Sequence, residues 1–321
     1  MPLGYSGRGT GVGMVKETTW GTAVARTDWM ELVSESMRRT VARPFRPHLV
    51  GGSSFVQRDV YDAGDDYGGD MEFEAVYNAI CFGHAIYAAF GSVTTTGPAG
   101  TEYAHTATLG TTLPSFTIET LKGNGTAEVG EGMKCSRFVL SMAPRDVMRV
   151  RTSWIGETSG GRASQGTPTY TSSPRPVLHS QAPSTGVTWN GTNYAKITSF
   201  ELTLDNRLER RNYLGSALTT EPDFGGFRDV TLRLGLHWDG DTLWSGLTAG
   251  TSSDFTFNIA GSGDDDLEIT GYNAIVEDVS DPISGPGVVT QNVTLRCRAD
   301  SSDQGLKIIL KNDVAGSNYD W

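Results

Sequence analysis

Apolar residues in this chain recur at every second position, a period that builds sheets rather than helices. Phe200, Leu202 and Leu204 alternate with Glu201, Thr203 and Asp205, and Val230, Leu232, Leu234, Leu236 and Trp238 alternate with Thr231, Arg233, Gly235 and His237. Each run predicts a strand with one packed and one polar face. Phe255, Phe257 and Ile259, then Val293, Leu295 and Cys297, then Leu306, Ile308 and Leu310 extend the pattern. Towards the N-terminus, Met71, Phe73 and Ala75 oppose Glu72 and Glu74; Phe116 and Ile118 oppose Thr117 and Glu119; Phe138, Leu140 and Met142 oppose Arg137 and Ser141. The 40 Gly and 13 Pro among 321 residues supply the turns such a fold needs.

Two segments break the period. VYNAICFGHAIYAAF (76–90) predicts a buried helix, and DTLWSGLT (241–248) a short one capped by Asp241, with Gly91 and Gly250 as their stops. The order strand, long polar loop, strand, helix, strand, strand, strand occurs once on each side of residue 156, which suggests an ancient duplication. The expected organisation is an N-terminal arm (1–30), a first β-sandwich half (31–156), a Gly/Ser/Thr/Pro-rich linker (157–190) and a second half (191–321). The glycine-rich start of the arm, 4–13, should be mobile unless something outside the monomer core holds it.

Several chemistries find no support. A net charge of −11 argues against gripping nucleic acid or anionic lipid, which takes clustered Lys and Arg. No stretch reaches the ~20 apolar residues of a membrane span. Cys81, Cys135 and Cys297 lie far apart and read as small buried hydrophobes in a reducing compartment. The five histidines are dispersed; Cys81 and His84 share a helix face without a third ligand. Asp264, Asp265, Asp266 and Glu268 read as a solvated hairpin turn rather than a calcium loop. There is no Walker loop or nucleophile elbow, and the glycines of GRGTGVG follow no strand. Neither a cofactor nor an enzyme activity is expected.

Charge concentrates in two long loops. Arg38, Arg39, Arg43 and Arg46 open the first, which then turns acidic at Asp59, Asp62, Asp65, Asp66 and Asp70; Arg207, Arg210 and Arg211 open the second, followed by Glu221 and Asp223. Such a loop either neutralises itself or lays its basic part on an acidic surface of the next copy. The second contact is head-to-tail and builds rings or filaments.

VKETTWGTA (15–23), leading into 29–36, then SFELTLDN (199–206), YLGS from Tyr213, the Gly225–Gly226 turn before a long strand and the terminal LKIILKN resemble, in order, the major tail tube proteins of long-tailed, siphovirus-like bacteriophages. The resemblance implies a mainly-β sandwich or barrel subunit with a flanking helix, self-assembling into stacked rings around a channel for genomic DNA. Implied partners are other copies of the chain, the tape measure protein, the tail terminator and the distal tail proteins, within a virion assembled in the host cytoplasm. DNA passes without specific binding, and no membrane is involved. If the duplication holds, three chains give a pseudo-sixfold ring; otherwise six chains are needed. Trp20, Trp29, Arg38, Arg39, Arg43, Arg46, Asp62, Asp65, Asp66, Arg207, Arg210, Arg211, Glu221 and Asp223 are the candidates for contacts between rings. The rival class is a carbohydrate-binding or adhesin-like sandwich with Trp154, Trp189 and Trp244 exposed.

Overall fold

A computed structural model describes residues 10–45, 60–123, 126–164, 168–283, 285–302, 304–319 and 321. Strands β1 (Thr10–Lys16), β2 (Asp28–Met30), β3 (Ser34–Glu35), β4 (Arg38–Ala42) and β5 (Gly64–Glu74) precede helix α1 (Ile80–Phe90). The hairpin β6 (Gly91–Ala99) and β7 (Glu102–Leu109) follows, then β8 (Phe116–Lys122), β9 (Thr126–Met142), β10 (Arg149–Gly156) and β11 (Thr158–Ser164). The second half comprises β12 (Val187–Trp189), β13 (Thr192–Tyr194), β14 (Ile197–Asp205), the small hairpin β15 (Leu208–Arg211) and β16 (Thr220–Phe224), and β17 (Asp229–His237). Helix α2 (Thr242–Ala249), β18 (Ser252–Ala260), β19 (Asp266–Ser280), β20 (Thr290–Arg296), β21 (Leu306–Asn312) and α3 (Gly316–Tyr319) complete it. The fold is mainly β and sandwich-like, with antiparallel sheets.

The halves share one pairing scheme. In the first, β1 pairs with β2 and β8, β8 with β9, β9 with β10, and β10 with β5. In the second, β12 pairs with β13 and β18, β18 with β19, β19 with β20, and β20 with β17. β11 and β21 occupy matching places beside the N-terminal parts of β9 and β19. Even the bulge recurs: β9 skips Ser136 between Arg137 and Cys135, and β19 skips Glu277 between Val276 and Asp278. A bulge bends a strand, which lets β9 and β19 each serve two sheets. The β6–β7 hairpin has no counterpart in this scheme and pairs with β21.

The halves are joined edge to edge. β14 pairs with the C-terminal part of β9, Thr203 opposite Val139 and Asp205 opposite Arg137. A continuous antiparallel sheet results, in the order β4, β5, β10, β9, β14, β17, β20, β19. Its inner face carries Phe73, Val150, Leu140, Leu202, Leu232 and Leu295, all within one hydrophobic cluster that spans both halves. Helix α1 is buried on nearly every side because it lies between sheets, which explains its mostly apolar sequence.

The alternation places most side chains where expected, with instructive differences. Phe200, Leu202 and Leu204 are buried, as are Phe255, Phe257, Ile259, Leu306, Ile308 and Leu310. Trp238 lies past the end of β17 and is 45% exposed. On β8 the polar partners Thr117 and Glu119 are buried too, because the chain after β1 lies over them. Glu17 accepts hydrogen bonds there from the Thr117 hydroxyl and the Gly132 and Gly21 amides, and Arg26 pairs with Glu119. α1 starts at Ile80 rather than 76, since Tyr77 donates its amide to Arg175 O and Val76 bridges to Pro176. Asp241 does hold the N-cap position of α2, but its side chain makes no capping hydrogen bond. Gly91 and Gly250 end α1 and α2 with left-handed φ of 85° and 63°, a conformation that favours glycine.

The span 157–190 is more than a connection. Its start is β11 and its end β12, and between them Tyr170, Pro176 and Leu178 bridge to Trp29, Val76 and Val147. Of the glycine-rich start of the arm, residues 4–9 lie outside the described residues, while residues 10–13 belong to β1, where Val12 is fully buried. Trp154 and Trp189, expected on the surface by the rival class, are 2% and 1% exposed. The Trp154 indole donates to Thr152 Oγ1 and that of Trp189 to Ala274 O, which satisfies their polar atoms in the core. Trp244 alone of the three is exposed, at 52%.

Asn206 locks the junction of the halves. It is fully buried, and its Nδ2 donates to Ala89 O at 2.9 Å and to Cys135 O at 3.0 Å, tying the end of β14 to α1 and β9. Asn206→Ala leaves both carbonyls without that donor and should lower stability by about 2 kcal/mol. Asn206→Asp should cost more, since a carboxylate there faces two acceptors. Urea denaturation midpoints check both.

Candidate assembly interface

The outer face of the long sheet is polar. Alternation turns Asp70 and Glu72 on β5, Arg149 and Arg151 on β10, Glu201 on β14 and Arg233 on β17 to the same side. They pair across strands: Arg151 with Asp70 at 2.9 Å, Arg149 with Glu72 at 3.6 Å, and Arg233 with Glu201 at 3.3 Å. At one end Asp229 receives both Arg296, at 2.7 Å, and Arg207, at 3.2 Å, while Arg296 also reaches Glu277 at 2.8 Å. The hydrogen bonds from Arg296, with those of Arg207, hold the Asp229 carboxyl below its ordinary range, and the Arg296 guanidinium is raised correspondingly. A groove of about 840 Å³ over this corner is lined by Arg207, Asp229 and Arg296 together with Arg137, Glu209 and Arg228. Acids and bases matched in this way leave little net field.

The ends of this sheet are open. Among the described residues β4 pairs with β5 alone, and beyond Ile275 β19 has β20 on one flank and no strand on the other. Unpaired edges of this kind are templates for further strands.

Most of the loop charges singled out in the sequence pair within the chain. Arg39 binds the largely buried Asp65 and Arg43 binds Asp62, at 2.5 and 2.6 Å. Arg210 contacts Asp66 at 3.3 Å and donates to Tyr67 O at 2.7 Å; Arg211 pairs with Asp223 at 3.2 Å, and Glu221 with Lys134 at 2.7 Å. The Thr219 hydroxyl donates to Asp66, and the Asp65 amide to Ala217 O. The β15–β16 loop thus clasps the first half instead of standing free. Trp20 is half-buried, its indole donating to Gly132 O at 3.3 Å, and Trp29 is buried with Leu121 and Ala127. Arg38 is exposed on the open strand β4. Arg46 lies outside the described residues.

Sequence reasoning missed the open segment of β19. Leu267, Ile269 and Gly271 are buried in alternation, an irregularity after Gly271 moves the buried positions to Ala274 and Val276, and the bulge at Glu277 restores the first phase so that Val279 turns inward. The Asp264–Asp266 turn is only partly solvated, because Asp265 is 3% exposed. Burial pushes its carboxyl up to about 6 although Arg175 Nε lies 2.9 Å away. Among the described residues no group of three or more His, Cys, Asp or Glu could hold a metal ion. Nor is any described helix long and apolar enough to cross a membrane.

A family profile described as phage tail tube protein matches residues 7–297. The chain belongs to the phage tail tube protein family. It is therefore a structural tail tube protein and a virion component. Comparison with curated proteins gave no match.

Two variants separate clasp from surface charge in this tail tube protein. Arg210→Glu sets a carboxylate against Asp66 and the Tyr67 carbonyl and should lower stability by about 2 kcal/mol. Arg211→Glu perturbs only a half-exposed pair and should stay within about 0.5 kcal/mol; thermal unfolding compares them. Asp229 supplies a pH test. With its folded pKa depressed, its contribution is present above the unfolded value of about 3.9 and is lost as pH falls through the folded value. Asp229→Asn should therefore flatten the acid limb of stability between about pH 5 and pH 2, read from denaturation midpoints across that range.

Proposed function

We propose that this protein self-assembles into stacked rings forming a hollow tail tube through which phage DNA is delivered, and that three chains make a pseudo-sixfold ring. The observation that carries the ring reading is the long sheet, in which one four-strand unit occurs twice, is joined edge to edge, and ends in open strands that differ from each other. Unlike edges make a head-to-tail contact, which propagates instead of stopping at a dimer. Adding the same junction between chains continues the sheet around a ring and removes the exposed edges.

In this reading the polar outer face of the sheet lines the channel. Arg151 with Asp70, Arg233 with Glu201, and Arg296 with Asp229 give it charge without a net positive field. A polyanion can slide past such a surface, because most of its cations are held by carboxylates and so displace few counterions. Stacking contacts between rings fall to the arm and the loops that follow β4 and β14. The tape measure, terminator and distal tail proteins are the remaining partners.

Electron microscopy of purified protein over a concentration series tests this. Rings or hollow tubes are the expected result. A particle that remains monomeric at every concentration, and also in the presence of a tail-tip nucleus, contradicts it.

A further inference from the structure

Helix α1 is covered by two pieces that have no match over α2: the β6–β7 hairpin, and residues 313–319 with Trp321. On α2 only Leu243 and Gly246 are buried, and Trp244 is exposed. We propose that the segment after β21 is a strap over α1, held shut by the neutral imidazole of His105 and released when that ring takes up a proton. The proposal concerns the single subunit and stands apart from the ring reading.

Tyr319 is fully buried against Gly83, where a Cβ would overlap its ring. Its carbonyl accepts the Nε2–H of His84 at 2.9 Å, and its hydroxyl accepts from Asn312 Nδ2 at 2.7 Å. Trp321 stacks on Tyr319 with ring centroids 4.1 Å apart and donates its indole N–H to Thr95 Oγ1 at 2.9 Å. Asp313 is held by Arg175 at 2.5 Å.

His105, on β7 and 2% exposed, joins these anchors. Its Nε2 lies 3.1 Å from Asn312 Oδ1 and 3.0 Å from Val314 O, and its Nδ1 lies 2.8 Å from Thr95 Oγ1. A carbonyl only accepts, and Asn312 Oδ1 is the accepting end of an amide whose Nδ2 donates to Tyr77 O, so Nε2 carries the ring proton. Nδ1 keeps a lone pair that takes the Thr95 hydroxyl proton, while Thr95 Oγ1 accepts from Trp321. A second ring proton, on Nδ1, meets that hydroxyl proton head-on. Thr95 must then turn its own proton away, and a cation is left buried beside Tyr319 and Trp321.

The surrounding charges do not offset this. β6 carries none, and α1 contributes His84 but no carboxylate. On β7, Glu102 meets Asp264; on β21, Lys311 is paired with Asp266 and Glu268. Among the described residues no carboxylate pairs with His105, and burial holds its imidazole below the ordinary range. Asp265, whose carboxyl sits at about 6, works against opening, since once protonated it leaves Arg175 to Asp313. A released imidazole titrates near 6.5, above the closed one, so the strap is most stable above about pH 6.5 and loses stability as pH falls towards the closed value.

Hydrogen exchange of the intact subunit tests this, read as protection factors so that the intrinsic pH dependence of exchange drops out. The Val314 and Asn318 amides donate to Asn312 Oδ1 and Ala315 O. Their protection should fall about tenfold between about pH 7.5 and pH 5.5, while amides of β14 and β17 keep theirs. His105→Gln, which keeps a donor towards Val314 without a titrating nitrogen, should abolish the fall. Unchanged wild-type protection overturns the proposal, as does an equal fall in the variant or a loss shared by the whole chain, which is global unfolding. The Cε1 proton resonance of His105 gives a second reading that needs no variant. It should titrate below about 6.5, and a midpoint at or above that value overturns the proposal.

Discussion

Backbone hydrogen bonding at the edge of a strand is the constraint around which this protein is arranged. A four-strand unit presents an unpaired row of N–H and C=O groups on each side, and these must be paired, covered or left to water. The chain meets the requirement once internally by laying β14 along β9. The neighbouring features depend on that join. Asn206 fastens the end of β14 to α1 and β9, and the β15–β16 loop reaches back through Arg210 and Thr219 to Asp66. The hydrophobic cluster runs without interruption across both halves. The two remaining edges lie at opposite ends of the same sheet.

The faces of strands were legible in the sequence because burial with a period of two is a local property. Phe200, Leu202 and Leu204, or Phe255, Phe257 and Ile259, declare which side packs before any partner strand is known. The stops at Gly91 and Gly250 were legible for the same reason. The repeat was visible as an order of elements, though only pairing and the shared bulge reveal how closely the halves correspond.

What escaped the sequence was set by distant contacts. Thr117 and Glu119 look solvent-facing until Glu17 and Arg26 arrive from a segment about a hundred residues away in the chain. Trp154 and Trp189 look like surface aromatics until their indole N–H groups find Thr152 and Ala274. The loop arginines offered free charge in one dimension. In three dimensions the clasp of one loop on the other half takes up Arg210 and Asp66, and nearby Asp65 takes up Arg39. Arg38 is left exposed on an open edge instead of buried in a salt bridge.

A ring of three chains requires the internal junction to be the external one as well, because only then do two four-strand units per chain become six around a channel. Counting chains per ring decides it most directly. Native mass spectrometry of isolated rings, or end-on cryo-electron microscopy of tubes, should give three chains arranged as six similar lobes. Six chains in each ring would contradict the account, since the second unit would then lie outside the repeating wall.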